Sequence, residues 1–96
     1  MQPTVYIMAS HKNGTLYTGV TANLARRVYE HRNRLIPGFT EQHRITQLVW
    51  YEVHEHMHAA YAAEKRIKRW RRAWKITAIE NRNPGWRDLW FDLIPT

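Results

Sequence analysis

The chain has 96 residues, 44% of them hydrophobic and with five Trp and five Tyr among them, enough for one core and one expected domain over residues 1–96. Fifteen Lys and Arg against eight Asp and Glu give a formal charge of +7, a balance that favours a polyanionic partner such as nucleic acid. Cysteine is absent, which excludes disulfides, thiolate catalysis and Cys-ligated zinc, and no apolar run approaches the ~20 residues of a membrane span.

The first residues, Met1-Gln2-Pro3-Thr4, lack the basic start and apolar stretch of a signal peptide. A soluble, cytoplasmic protein is therefore expected. Thr4 to Ala9 is β-branched and aromatic and reads as a strand. Asn13-Gly14 signals a turn, and Leu16 to Val20 reads as a second strand antiparallel to the first. Thr21 is positioned to cap a helix from about Ala22 to Arg34, with Leu24, Val28 and Leu35 near core-facing spacing. Ile36-Pro37-Gly38 breaks that helix and opens a polar, basic loop reaching to Thr46.

Leu48 to Val53 reads as a third strand. An Ala-rich helix is expected from about His58 to Trp70, and another from about Ala73 to Glu80, closed by Asn83-Pro84-Gly85. Trp86, Leu89, Trp90, Phe91 and Leu93 supply an apolar tail that packs back on the core. The expected architecture is an α/β (α+β) domain: a small three-stranded mixed sheet flanked by helices, in the order β-β-α-β-α-α.

His54, His56 and His58 alternate where the third strand gives way to a helix. Zinc sites on helices use His at i and i+4, but these three straddle a strand end, so a solvated connection is the expected reading, with adventitious nickel or zinc binding the main alternative. The run Lys65, Arg66, Lys68, Arg69, Arg71, Arg72, Lys75 is a charged helix face that becomes a phosphate track if it borders an active cleft. Trp70 and Trp74, four apart within it, are expected in the core. No base-reading motif is apparent, so low sequence specificity is expected. Trp50 and Tyr51 are candidates to stack on unpaired bases, which would favour single-stranded or branched substrates.

Val5-Tyr6-Ile7 and Tyr17-Thr18-Gly19, followed on one helix by Arg27 and His31, form an ordered set. Arg27 and His31 stand at i and i+4 and project from one helix face. This set resembles the GIY-YIG nucleases, and the resemblance extends over nearly the whole chain. It is nearest to small bacterial proteins consisting of that domain alone. One departure is that Val5 stands where the first motif has glycine.

The resemblance implies phosphodiester hydrolysis. It assigns Tyr6 and Tyr17 to an active site on adjacent strands, Gly19 to a close backbone approach, Arg27 to phosphate charge and His31 to a proton relay. It makes Glu64 the ligand of one Mg²⁺ (or Mn²⁺). Taken alone, Glu64 reads instead as the i,i+4 partner of Lys68 on an exposed helix face. A late site asparagine maps to Asn83, with Asn81 competing. Lys65, Arg66, Lys68, Arg69 and Arg72 are the expected nucleic-acid contacts. DNA is the implied partner, with RNA not excluded, and cleavage would leave 5′-phosphate and 3′-hydroxyl ends. The alternatives are a binding module that does not cut, and a nuclease subunit active only with a protein partner.

Overall fold

The computed structural model describes residues 2–94; Met1, Pro95 and Thr96 of the expected 1–96 domain, and with Met1 the first residue of the leader reading, lie outside the described residues. The elements are β1 (Thr4–Ala9), β2 (Leu16–Thr21), α1 (Leu24–Arg32), α2 (Phe39–Gln42), β3 (Gln47–Val53), α3 (Met57–Lys68), α4 (Arg72–Arg82) and α5 (Trp90–Leu93). The expected order β-β-α-β-α-α is present, with the short α2 and α5 added to it.

The strand order is β2-β1-β3. The sheet is antiparallel throughout, not mixed as expected. The passage through α1 does make β2 and β3 run the same way, but β1 lies between them, so neither adjacent pair is parallel. All six residues of β1 are buried. Alternation then divides its side chains between two faces. Val5, Ile7 and Ala9 join Ala60, Ala63 and Ile67 of α3 and Ile79 of α4 in one core. Tyr6 and Met8 join Val28 of α1 with Ile45 and Leu48 in a second, closed by Leu89, Trp90 and Leu93. A register shift between Ile7 and Met8 leaves β3 with one extra residue, so Val49 and Trp50 both serve the first core.

Helix α1 begins two residues later than expected because Asn23, not Thr21, is the cap. Arg26 N–H donates to Asn23 Oδ1 at 3.2 Å, while Thr21 Oγ1 accepts from Asn23 N–H at 3.0 Å and so stays with β2. The helix also ends early, at Arg32. Arg34 then adopts φ 54°, and Leu35 is 60% exposed instead of facing the core. In the polar loop that follows, Thr40 and Ile45 are buried and the four residues of α2 are helical.

The tail packs largely as expected, through Trp86, Leu89, Trp90 and Leu93, but Phe91 is exposed. Asp88 fastens it by accepting from Leu48 N–H and Trp90 N–H and by pairing with Arg32. Trp70 is half-buried against the first core, whereas Trp74 is 54% exposed with the Arg71 guanidinium over its ring. The connection carrying His54, His56 and His58 is partly solvated, and His56 Nδ1 accepts from Ala59 N–H as the cap of α3. Among the described residues no group of three or more His, Cys, Asp or Glu side chains is arranged to hold a metal ion. Nor is any described helix long and apolar enough to cross a membrane.

Candidate active site

The site forms where the second core meets edge strand β2. Tyr6 lies opposite Gly19 across the hairpin. A Cβ at Gly19 would stand 2.5 Å from both Cζ and Oη of Tyr6. The missing side chain is therefore what lets the Tyr6 ring lie across β2 toward α1. There Tyr6 Oη and His31 Nε2 are hydrogen-bonded at 3.1 Å. The Tyr17 ring completes a triangle, with centroids 6.4 Å from Tyr6 and 5.6 Å from His31. Tyr6 and His31 are buried, and Tyr17 is half-buried at the rim.

Burial shapes the acid–base character of the pair. Desolvation raises the Tyr6 phenol well above its ordinary range. The charges of Tyr17, Glu64 and Glu30 push the same way, and Arg27 opposes them. Tyr6 is thus a neutral phenol at physiological pH. His31 is moved below the ordinary 6.5 by burial and by Arg27, against the pull of Glu30. Its Nδ1 is buried with no hydrogen-bond partner among the described residues. Two neutral, hydrogen-bonded groups of this kind can pass a proton along a line but hold no standing charge.

The shift at His31 has a consequence for stability. The unfolded chain takes up a proton near pH 6.5, and the folded chain resists until lower pH. Stability from this group is complete above 6.5 and declines as the pH falls below it. The melting temperature should therefore drop on acidification from pH 7 to 5, and His31→Gln should flatten that part of the profile. An unchanged slope in the variant would show that His31 is not the group responsible.

Arg27 is half-exposed on α1, with Nε 3.4 Å from Glu30 Oε1. Arg26 reaches the other oxygen of Glu30 at 3.5 Å. These three residues line a depression of about 400 Å³ together with Thr21 and Asn23. Glu30 was missed in the sequence, although its i+4 and i+3 spacing from Arg26 and Arg27 was a legible signal. Glu64 lies on α3, which packs against β1 and β2 from the opposite face; its carboxylate is mostly buried, and its charge is felt at Tyr6. Lys68 Nζ lies 3.1 Å from Glu64 Oε2. The helix pair anticipated for Glu64 is thus present, and it coexists with the effect of the Glu64 charge on Tyr6.

The structure does not tie Asn83 into this cluster. Asn83 is buried at the end of α4, where Nδ2 donates to Val49 O and Arg87 O and Oδ1 accepts from Arg87 N–H. Both of its side-chain donors and one bond to its side-chain oxygen go to fastening the tail to β3. Asn81 is exposed beside Trp70 and Trp74. Lys65, Arg66 and Arg69 are exposed and have no ion-pair partner among the described residues, Lys68 is bound to Glu64, and Arg72 donates to backbone carbonyls near the β1–β2 turn. Trp50 is buried beneath Arg82 and offers no face for stacking; Tyr51 is half-buried. Tyr61, one turn before Glu64 on α3, is 50% exposed.

A paired-tyrosine hairpin, an arginine–histidine helix and a carboxylate from a later helix define a small catalytic domain of the nuclease-like kind. A family model described as the GIY-YIG catalytic domain matches residues 2–77, and the chain belongs to that family. Curated relatives carry the designation UPF0213. One from Pediococcus acidilactici is 38% identical over 69 residues, covering 70% of each chain. Another from Desulfotalea psychrophila is 33% identical over 88 residues, covering 91% of this chain and 79% of the other. The solution NMR structure of a UPF0213 protein from Bacillus halodurans shares the fold across the full length of both chains, with a TM-score of 0.57 and 24% identity. The family implies a nucleic-acid substrate.

Proposed function

We propose that this protein is a metal-dependent endonuclease that hydrolyses phosphodiester bonds in DNA with low sequence preference, acting in the cytoplasm as one domain. The observation that carries the reading is the Tyr6–His31 hydrogen bond, with Tyr17 beside it and the charges of Arg27 and Glu64 acting on the same hydroxyl.

Glu64 suits Mg²⁺ or Mn²⁺ as a single hard carboxylate with one oxygen left free by Lys68. Mg²⁺ commonly binds through one or two carboxylates plus substrate phosphate, keeping several waters. Such a cation, when bound, supplies Lewis acidity toward the phosphoryl oxygens and acidifies attacking water. Arg27 exchanges Glu30 for a phosphate oxygen and takes up charge that develops there. Tyr6 orients the water and accepts its proton in concert with transfer toward His31, because neither a phenolate nor an imidazolium is favoured at rest. Tyr17, less buried, contacts the substrate at the rim. Asn83 supports this arrangement by holding the tail on β3. Lys65, Arg66, Lys68, Arg69 and Arg72 attract the backbone.

A second reading, a nucleic-acid-binding module that does not cut alone, is favoured by the internal neutralisation of Glu64 by Lys68 and of Arg27 by Glu30. The deciding experiment incubates purified protein with labelled single-stranded, duplex and branched DNA in Mg²⁺, Mn²⁺ or EDTA. Endonuclease products with 5′-phosphate ends are expected with either metal and none in EDTA. Salt-sensitive binding without cutting of any DNA would replace the nuclease reading by the binding one.

A further inference from the structure

The cations of this protein fall into two groups. Arg26, Arg27, Arg32, Arg34, Lys68, Arg82 and Arg87 each have a carboxylate partner within ion-pair distance. Lys12, Arg44, Lys65, Arg66, Arg69, Arg71, Arg72 and Lys75 have none among the described residues, and of these Arg72 and Lys75 line a single cleft of about 510 Å³ between the β1–β2 turn and α4. His11, Asn13 and Gly14 form its opposite wall, and no described carboxylate lines it.

Arg72 is held in place there. Its Nη2 donates to Asn13 O at 2.7 Å and Gly14 O at 2.6 Å, fixing the guanidinium and leaving its other donors uncommitted. The turn itself is tightly made. Asn13 has φ 60°, and a Cβ at Gly14 would lie 2.4 Å from Ser10 Oγ. Lys75 is half-buried one turn along α4, and its ammonium is opposed by burial and by the charges of Arg72 and Lys68. Lys68, one of the charges acting on Lys75, is also the partner of Glu64. Gathering cations without a counter-charge is unfavourable unless an anion completes the group.

We infer that this cleft is a phosphate subsite in which Lys75 and Arg72 hold a backbone phosphate of the nucleic acid other than the one that is cut. The inference rests on the nucleic-acid reading above. Arg72 supplies a preset fork of donors and Lys75 a point charge. Because Arg72 is pinned to the β1–β2 turn, occupancy also braces the hairpin that carries Tyr6 and Tyr17.

The test is binding of fluorescein-labelled DNA oligonucleotides in EDTA, so that cleavage plays no part. Lys75→Ala should weaken binding several-fold and reduce the slope of log affinity against log salt by about 0.7 to 0.9, the share of one phosphate contact. Lys75→Arg should restore most of it. Arg34→Ala removes the same charge from an ion pair outside the cleft and should change little. Equal losses in Lys75→Ala and Arg34→Ala would reduce the effect to bulk charge and overturn the subsite, as would unaltered affinity and salt slope in Lys75→Ala. If wild-type protein fails to cut DNA in Mg²⁺ while the Lys75 effect persists, the nuclease reading falls and the subsite stands.

Discussion

Replacing Glu64 by Gln should reduce Mg²⁺-dependent cleavage by roughly 10²- to 10³-fold or more. That is the several kcal/mol a Lewis-acid cation supplies, converted at about 1.4 kcal/mol per factor of ten. The fold should hardly notice. The lost partner, Lys68, is half-exposed, and helix pairs of this kind are worth only about 0.3 to 0.5 kcal/mol. The melting temperature of Glu64→Gln should accordingly stay close to wild type, which separates loss of metal from loss of structure. The substitution also removes a charge that raises the Tyr6 phenol, so any direct effect on Tyr6 would assist ionisation. Metal-dependent activity surviving in a folded Glu64→Gln protein would refute the ligand assignment.

Gly19→Ala should damage stability and cleavage together. The new methyl would meet Tyr6 at 2.5 Å, and the ring has little freedom to retreat, being 1% exposed and hydrogen-bonded to His31. Overpacking of this sort costs about 1 to 3 kcal/mol, and the displacement that relieves it breaks the Tyr6–His31 contact. Urea denaturation of a double-mutant cycle isolates the cause. In a Tyr6→Leu background the ring atoms are gone, so Gly19→Ala should then be nearly neutral, giving a large coupling energy. An equal penalty in both backgrounds would mean that Gly19 is required for its backbone and not for the space it leaves.

The hairpin was legible because β-branched and aromatic residues flank an Asn-Gly turn, and the motif spacing pointed to Tyr6, Tyr17 and His31 as a group. Their hydrogen bond was not legible, since it depends on how a ring crosses a neighbouring strand. Errors at the edges have local causes. Thr21 and Asn23 are both competent caps two residues apart, and only their mutual hydrogen bond decides between them. Leu35 has the spacing of a core residue but follows the early end of α1 at Arg32. Trp74 is four residues from Trp70, yet α3 ends at Lys68 and α4 begins at Arg72, so the two do not share one helix face. Asn83 was singled out for chemistry, and its visible work is holding the tail. The Asn13-Gly14 turn and the basic run through Arg72 and Lys75 were each legible, but the cleft they form was not, because it joins segments distant in the chain.

The position of β1 also bears on how the molecule assembles. Thr4 pairs with Thr21 on one side and with Val53 on the other. The first pairing closes a short loop and the second a long one, and long closures are the slower to form. Tyr6, Tyr17, Gly19 and His31 all belong to the early, local half of the chain. During synthesis they would emerge before β3 exists, with one side of their own strand unsatisfied and open to pairing with another chain. Vulnerability to aggregation should therefore be greatest in that interval, and it ends when Leu48 and Val49 dock.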